Sequence, residues 1–182
     1  MVWLALISFG LQQRYLHATT PAVSEPAPKV FPAASRLPLA PDKSTLFMFV
    51  HPECPCTRAS LHELSDLLVE QPAKFSAVLV VASALSGEPW DSTPSGAIAH
   101  DIPGLGVFDD RDGAEAMRFR VHASSQVVLY DARGRLQFSG GITGSRGHVG
   151  ENVGLQTVKQ LIEHSKTSAH EHAVFGCPLE ND

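Results

Sequence analysis

Along the chain, apolar positions fall into blocks of two kinds. Residues 45–50 (TLFMFV) form a continuous apolar run of strand length, the pattern of a strand covered on both faces. Behind a cysteine-bearing segment, residues 58–70 place Leu61, Leu64, Leu67 and Leu68 on one helical face. Residues 75–82 (FSAVLVVA) repeat the buried-strand pattern, and strand, helix and parallel strand predict a right-handed βαβ unit. Residues 83–104, rich in Gly, Pro and Ser, predict a long connection with room for one short helix. A short strand at 105–108 and a short helix at 114–119 follow. Residues 126–130 (QVVLY) and 135–138 (RLQF), joined by a turn ending in Gly134, predict a hairpin. After the Gly-rich stretch SGGITGSRGH, Leu155, Val158, Leu161 and Ile162 make the stripe of a final helix. Periodicity then lapses, which predicts an appended tail over 169–182.

The first residues differ in character. Residues 2–11 (VWLALISFGL) are apolar, but a spanning helix needs about 20 such residues, so the run is too short to cross a bilayer. With no Lys or Arg before it, residues 1–19 read as a truncated signal or membrane-anchor segment. Residues 20–42 are Pro-rich, a composition that stays extended and serves as a spacer. The expected organisation is a domain at 43–168 tethered to a membrane on its extracytoplasmic, periplasmic side.

Composition narrows the chemistry. An apolar fraction of 43% over 182 residues is enough for a core without disulfide staples. A net charge of −5 argues against a nucleic-acid partner. Of three cysteines, Cys54 and Cys56 stand one residue apart, a spacing suited to chemistry or metal binding rather than scaffolding. They lie where the first strand passes into the first helix. Unpaired amides and the positive end of the helix dipole stabilise a thiolate there, so the two sulfurs are expected to stand exposed at the helix mouth, with Cys54 attacking and Cys56 resolving. Arg58 adds positive charge nearby, Thr57 shapes the helix start, and Glu53 opposes. A bridge across one residue closes a small ring, and strained bridges are more easily reduced, so a Cys54–Cys56 disulfide is expected to be an oxidant or isomerase-like one.

The element order and the cysteine-bearing strand-to-helix turn resemble the thioredoxin superfamily. The phrases HPECPCTRASL, FSGGITGSRGH and FGCPL resemble its bacterial RedB-type branch. The resemblance implies an α/β thioredoxin-like fold, a central mixed sheet flanked by helices, and thiol–disulfide oxidoreductase activity on protein thiols or disulfides. No phosphate-cradling Gly motif follows a strand, so no organic cofactor is expected. Two departures stand out. Thr57 occupies the second cysteine position of Cys-x-x-Cys, and Ser125 occupies the place of the cis-proline that faces the active cysteines in thioredoxins.

A copper-binding reading competes. Two thiolates and a histidine suit Cu(I), a soft ion. The resemblance to Sco-type copper chaperones, thioredoxin-fold proteins with a cysteine pair in this turn, implies Cys54, Cys56 and His122 as ligands, although His122 lies one residue from the matching place, where Ala123 stands. A peroxiredoxin would need Thr or Ser where His51 stands. His148 reads either as a proton acceptor for a thiol or as a solvated loop residue. Cys177 reads as a resolving thiol if the tail folds back, as part of a metal clip with His170 and His172, or as an inert thiol.

Overall fold

The structure, a computed structural model, describes residues 2–82, 89–164 and 169–179. Positions 83–88 of the expected connection, 165–168 at the expected domain end and 180–182 of the tail lie outside the described residues.

Six strands form one mixed sheet. The first strand, β1 (Ser44–Val50), sits between β2 (Phe75–Val81), which runs parallel to it, and β4 (Gln126–Tyr130), which runs antiparallel. Beyond β2 lies parallel β3 (Leu105–Asp109), and beyond β4 lies antiparallel β5 (Leu136–Gly141), completing the expected hairpin. The mixed α/β sheet of the sequence reading is therefore present. An added short strand, β6 (His170–Glu171), extends the sheet from within the tail, parallel to β5.

Alternation along the central strands divides the core. Leu46, Met48 and Val50 point to a layer built from α2 (Cys56–Glu70), α3 (Pro94–His100) and α5 (Val153–His164), where Leu61, Leu64, Leu67, Leu155, Val158 and Leu161 are buried against them. Phe47 and Phe49 point the other way, against Phe119 of α4 (Ala114–Phe119) and Tyr130. One helix cannot cover this second face. The rest is covered by the Pro-rich segment.

Here the structure departs from the expected spacer. Ala27 and Leu37 are buried in the second core, and the Phe31 ring packs edge-on to Phe119 and Tyr130 with centroids 5.5 Å apart. The Phe31 N–H donates to Gly134 O at 2.7 Å, and Leu136 N–H donates to Lys29 O at 2.9 Å. Arg36 reaches the fully buried carboxylates of Asp110 and Glu115 at 3.5 and 3.2 Å. Proline removes amide donors but leaves carbonyls, so such a segment can lie along an apolar face with its few remaining amides paired. Residues 20–42 are a strap on the domain rather than a free tether over their length.

At the N-terminus, α1 (Val2–Thr19) buries no residue. No helix among the described residues is long and apolar enough to cross a membrane. The tail also departs from its expectation as an appendage: Val174 is buried, Ala22 N–H donates to its carbonyl, and Leu179 enters the second core.

Candidate thiol site

Strand β1 ends at Val50 and the chain turns through His51–Pro55 into α2, which begins at Cys56. Cys54 N–H donates to His51 O at 3.2 Å and Thr57 N–H to Cys54 O at 3.1 Å, so the turn closes on itself and fixes both cysteines. Pro55 occupies the N-cap without a side-chain cap bond. The first-turn amides of α2 are therefore not claimed by a capping side chain, and their partial positive charge lies beside the sulfurs.

The structure brings Cys54 and Cys56 together as expected, but it does not leave them exposed. Cys54 is 3% exposed and Cys56 6%. Their cover is the tail. Residues 177–179 run antiparallel to residues 122–124 through an Ala123–Pro178 bridge, with Ser124 N–H donating to Cys177 O at 2.7 Å and Leu179 N–H to His122 O at 2.9 Å. This puts the third thiol into the site: the Sγ atoms of Cys54, Cys56 and Cys177 lie within 4.8 Å of one another. All three are free thiols. Neither Cys54 nor Cys56 belongs to the leucine layer or the aromatic layer of the core.

The three thiols are electrostatically unequal. Hydrogen bonds from the Cys177 and Cys56 thiols hold Cys54 well below the usual thiol range against the cost of burial, with the Cys177 amide and the Ser124 hydroxyl adding donors. At Cys56 the Cys177 thiol pulls downward, but the neighbouring Cys54 and burial outweigh it, and the thiol is pushed up; Arg146 acts in the lowering sense. Donation to Cys54 and then to Cys56, together with burial, pushes Cys177 up strongly. A negative charge shared over the cluster thus settles on Cys54, with the other two thiols as its donors.

The remaining residues divide. Thr57 is fully buried, and its Oγ1 meets Ser124 Oγ at 3.2 Å and His51 O at 3.4 Å, so it positions Ser124 rather than touching sulfur. Ser124 Oγ also accepts from His51 N–H at 3.0 Å. Ser124 is the hydroxyl facing Cys54, whereas Ser125, the residue expected there, turns left-handed at φ 70° with its N–H bonded to Phe49 O at 2.7 Å. No cis peptide bond occurs among the described residues. Arg58 is exposed and lines two clefts: one of about 410 Å³ that contains Cys54 and the start of α3, and a second that contains Cys56, Arg146 and His148. His148 is exposed, its Nδ1 against Arg146 O, matching the solvated loop reading.

Arg146, which sequence reasoning did not single out, ties the surroundings together. Its guanidinium donates to the carbonyls of His17, Thr20 and Gly176, and its own N–H donates to Ala18 O. The end of α1 and the approach of the tail are thereby clamped by one side chain. His122 is not part of the thiol cluster; its Nε2 lies 3.5 Å from Glu25. His172 stacks on Phe138, its Nε2 3.3 Å from Thr157 Oγ1, and neither it nor His170 belongs to the one cluster of liganding side chains found among the described residues.

No protein-family model matches the sequence, and no curated protein matches it significantly. Solved structures do resemble it. An uncharacterized conserved protein from Geobacillus kaustophilus superposes with a TM-score of 0.64 at 17% identity, covering 91% of this chain and 95% of its own. A hypothetical protein from Sinorhizobium meliloti gives 0.63 at 16% identity, with 89% and 93% covered. StoA from Bacillus subtilis gives 0.50 at 14% identity, with 78% and 97% covered. At these identities the likeness is one of fold. Sheet order and structural neighbours agree with the fold read from the sequence, and the chain has a thioredoxin-like α/β fold with a mixed sheet.

Proposed function

We propose that this chain is an extracytoplasmic thiol–disulfide oxidoreductase in which Cys54 is the attacking thiolate, acting on thiols or disulfides of other proteins. One observation carries the reading: the Cys54 sulfur stands beside the uncapped start of α2 with the Cys56 and Cys177 sulfurs within 4.8 Å of it, and these neighbours hold its thiol below the usual range. The thiolate is the nucleophile in disulfide exchange. An ordinary thiol with pKa about 8.5 is only about 3% ionised at neutral pH, so holding one sulfur ionised gains about 30-fold in attacking species, less the lower nucleophilicity of a weaker base. The extracytoplasmic placement rests on the apolar N-terminal run, with α1 and its exposed Trp3, Ile7 and Phe9 the part that would meet a membrane.

The test is a stoichiometric one. Fully reduced protein mixed with an aromatic disulfide whose released thiolate is coloured should reduce one disulfide per chain, faster than free cysteine at the same pH. Reduction no faster than free cysteine would overturn the reading.

A second reading follows from the cluster itself. Three sulfurs within 4.8 Å of one another suit Cu(I), with Cys177 in the place the sequence reading gave to His122. Competition against a Cu(I) chelator then gives one equivalent bound, lost in Cys54→Ser and unchanged in His122→Ala. Copper retained on the purified protein, with no disulfide reduction after its removal, would favour this reading over the first.

A further inference from the structure

The second thiol of a disulfide exchange is expected next to the first in sequence, and Cys56 meets that condition. We infer instead that Cys177, carried on the tail, is the thiol that resolves a mixed disulfide at Cys54, and that the tail occupies the pairing edge at residues 122–124 to deliver it. The inference rests on the proposed exchange chemistry and assigns its second step.

Three observations support it independently. The tail is docked by backbone pairing, with bonds of 2.7 and 2.9 Å between Ser124 N–H and Cys177 O and between Leu179 N–H and His122 O. Leu179 is buried beyond that pairing, and Arg146 holds the Gly176 carbonyl before it, so Cys177 is fixed from both sides. Gly176 passes so close to Ser124 that a Cβ there would lie 1.7 Å from the Ser124 carbonyl oxygen, so only glycine fits this path. Such fixed placement gives an intramolecular thiol a high effective concentration at the Cys54 sulfur. Cys56 lacks that advantage for bridging: Pro55 between the two cysteines is locked in a helical conformation at φ −66°, ψ −22°, and a bridge across it would close a small ring.

Access is compatible with a docked tail. The cleft containing Cys54 is lined by Pro52, Glu53, Pro55, Arg58 and residues 92–95, and none of its lining residues belongs to the tail. A disulfide R–S–S–R′ entering there meets the Cys54 thiolate, which bonds to the R sulfur and expels R′S⁻. Cys54 is then a neutral sulfur in a mixed disulfide, with the Cys177 sulfur within 4.8 Å of it. The Cys177 proton passes to R′S⁻, giving R′SH. The Cys177 thiolate attacks the Cys54 sulfur and expels RS⁻, which carries away the negative charge that Cys54 began with. Two electrons leave the protein, one Cys54–Cys177 disulfide forms, and the substrate disulfide becomes two thiols.

Disulfide mapping on the full chain decides the matter. Reduced protein is treated with one equivalent of the aromatic disulfide, alkylated in acid and digested. The expected products are a Cys54–Cys177 link and an alkylated Cys56. In Cys177→Ser the Cys54 mixed disulfide should persist at least about 100-fold longer, as expected when a prepositioned intramolecular thiol is removed. In Cys56→Ser the Cys54–Cys177 link should still form. A Cys54–Cys56 link with Cys177 alkylated would overturn the inference while leaving the exchange chemistry standing. Absence of any disulfide at Cys54, with no substrate reduced, would overturn both.

Discussion

Cys54→Ser should bring disulfide reduction down to the rate of ordinary thiols, a loss of about 30-fold at neutral pH. Two other thiols remain within reach of a substrate, so this result is not trivial. The structure holds both of them in the neutral form, because the Cys54 sulfur within 4.8 Å pushes each thiol up, Cys56 being buried and Cys177 half-buried. Removing Cys54 releases them only toward the ordinary thiol range, where a few per cent is ionised at neutral pH. Cys56→Ala is a milder change. It deletes one donor to the thiolate, worth about 1.5–3 kcal/mol for a hydrogen bond to a charged group, and should move the Cys54 titration upward without removing the nucleophile. Initial rates of single-turnover reduction across pH separate these cases. A Cys54→Ser protein retaining more than about a tenth of the wild-type rate would show that another sulfur attacks.

Gly176→Ala is expected to undock the tail while leaving the sheet folded. The added methyl group meets the backbone oxygen of Ser124 at 1.7 Å and its carbonyl carbon at 2.8 Å, and backbone cannot step aside as a side-chain tip can. Two backbone bonds at about 1 kcal/mol each and part of the roughly 2 kcal/mol from burying Leu179 are at stake. A loss of about 3 kcal/mol shifts the docking equilibrium by about 100-fold. Cys177 should then react with a bulky maleimide as an exposed thiol does. Cys54 should lose its first donor, its amide donor and its cover together, and its titration should move upward. Gly10→Ala, a site with nothing within 4 Å of a Cβ, is the matched control. Unchanged maleimide reactivity at Cys177 in Gly176→Ala would mean that the tail is not held by this contact.

Much of the frame is legible in the sequence because it is written in periodicity. The runs at 45–50 and 75–82 are apolar at consecutive positions since both faces of β1 and β2 are covered, and the leucines of α2 repeat at helical spacing because only one face meets the sheet. The two long irregular segments are legible only in part. Proline content reports that residues 20–42 stay extended, but not where they lie; the signal for docking was the apolar set Ala27, Phe31 and Leu37, which a free spacer would not need. The tail has no periodicity because it is held by backbone bonds and a glycine close approach, neither of which leaves a side-chain pattern. That gap explains the errors at the site. Without the tail in place, the cysteines read as exposed, Cys177 stays undecided and His122 is the nearest available ligand, whereas the structure engages His122 with Glu25. Strand register alone points to Ser125. Its left-handed backbone passes the facing position to Ser124, a change that no alternation of residue types records.

All of the chemistry depends on one sulfur being ionised under conditions where ordinary thiols are not. Ultraviolet absorbance of thiolate, followed as the reduced protein is titrated with acid from neutral pH, measures this directly. Since donors hold the Cys54 titration below the usual range, its charge is present at neutral pH and should disappear only as the pH falls well into the acid range. One thiolate per chain at neutral pH, absent in Cys54→Ser, is the predicted result. Absorbance that appears only as the pH is raised through about 8.5, as for a free cysteine, would contradict the account.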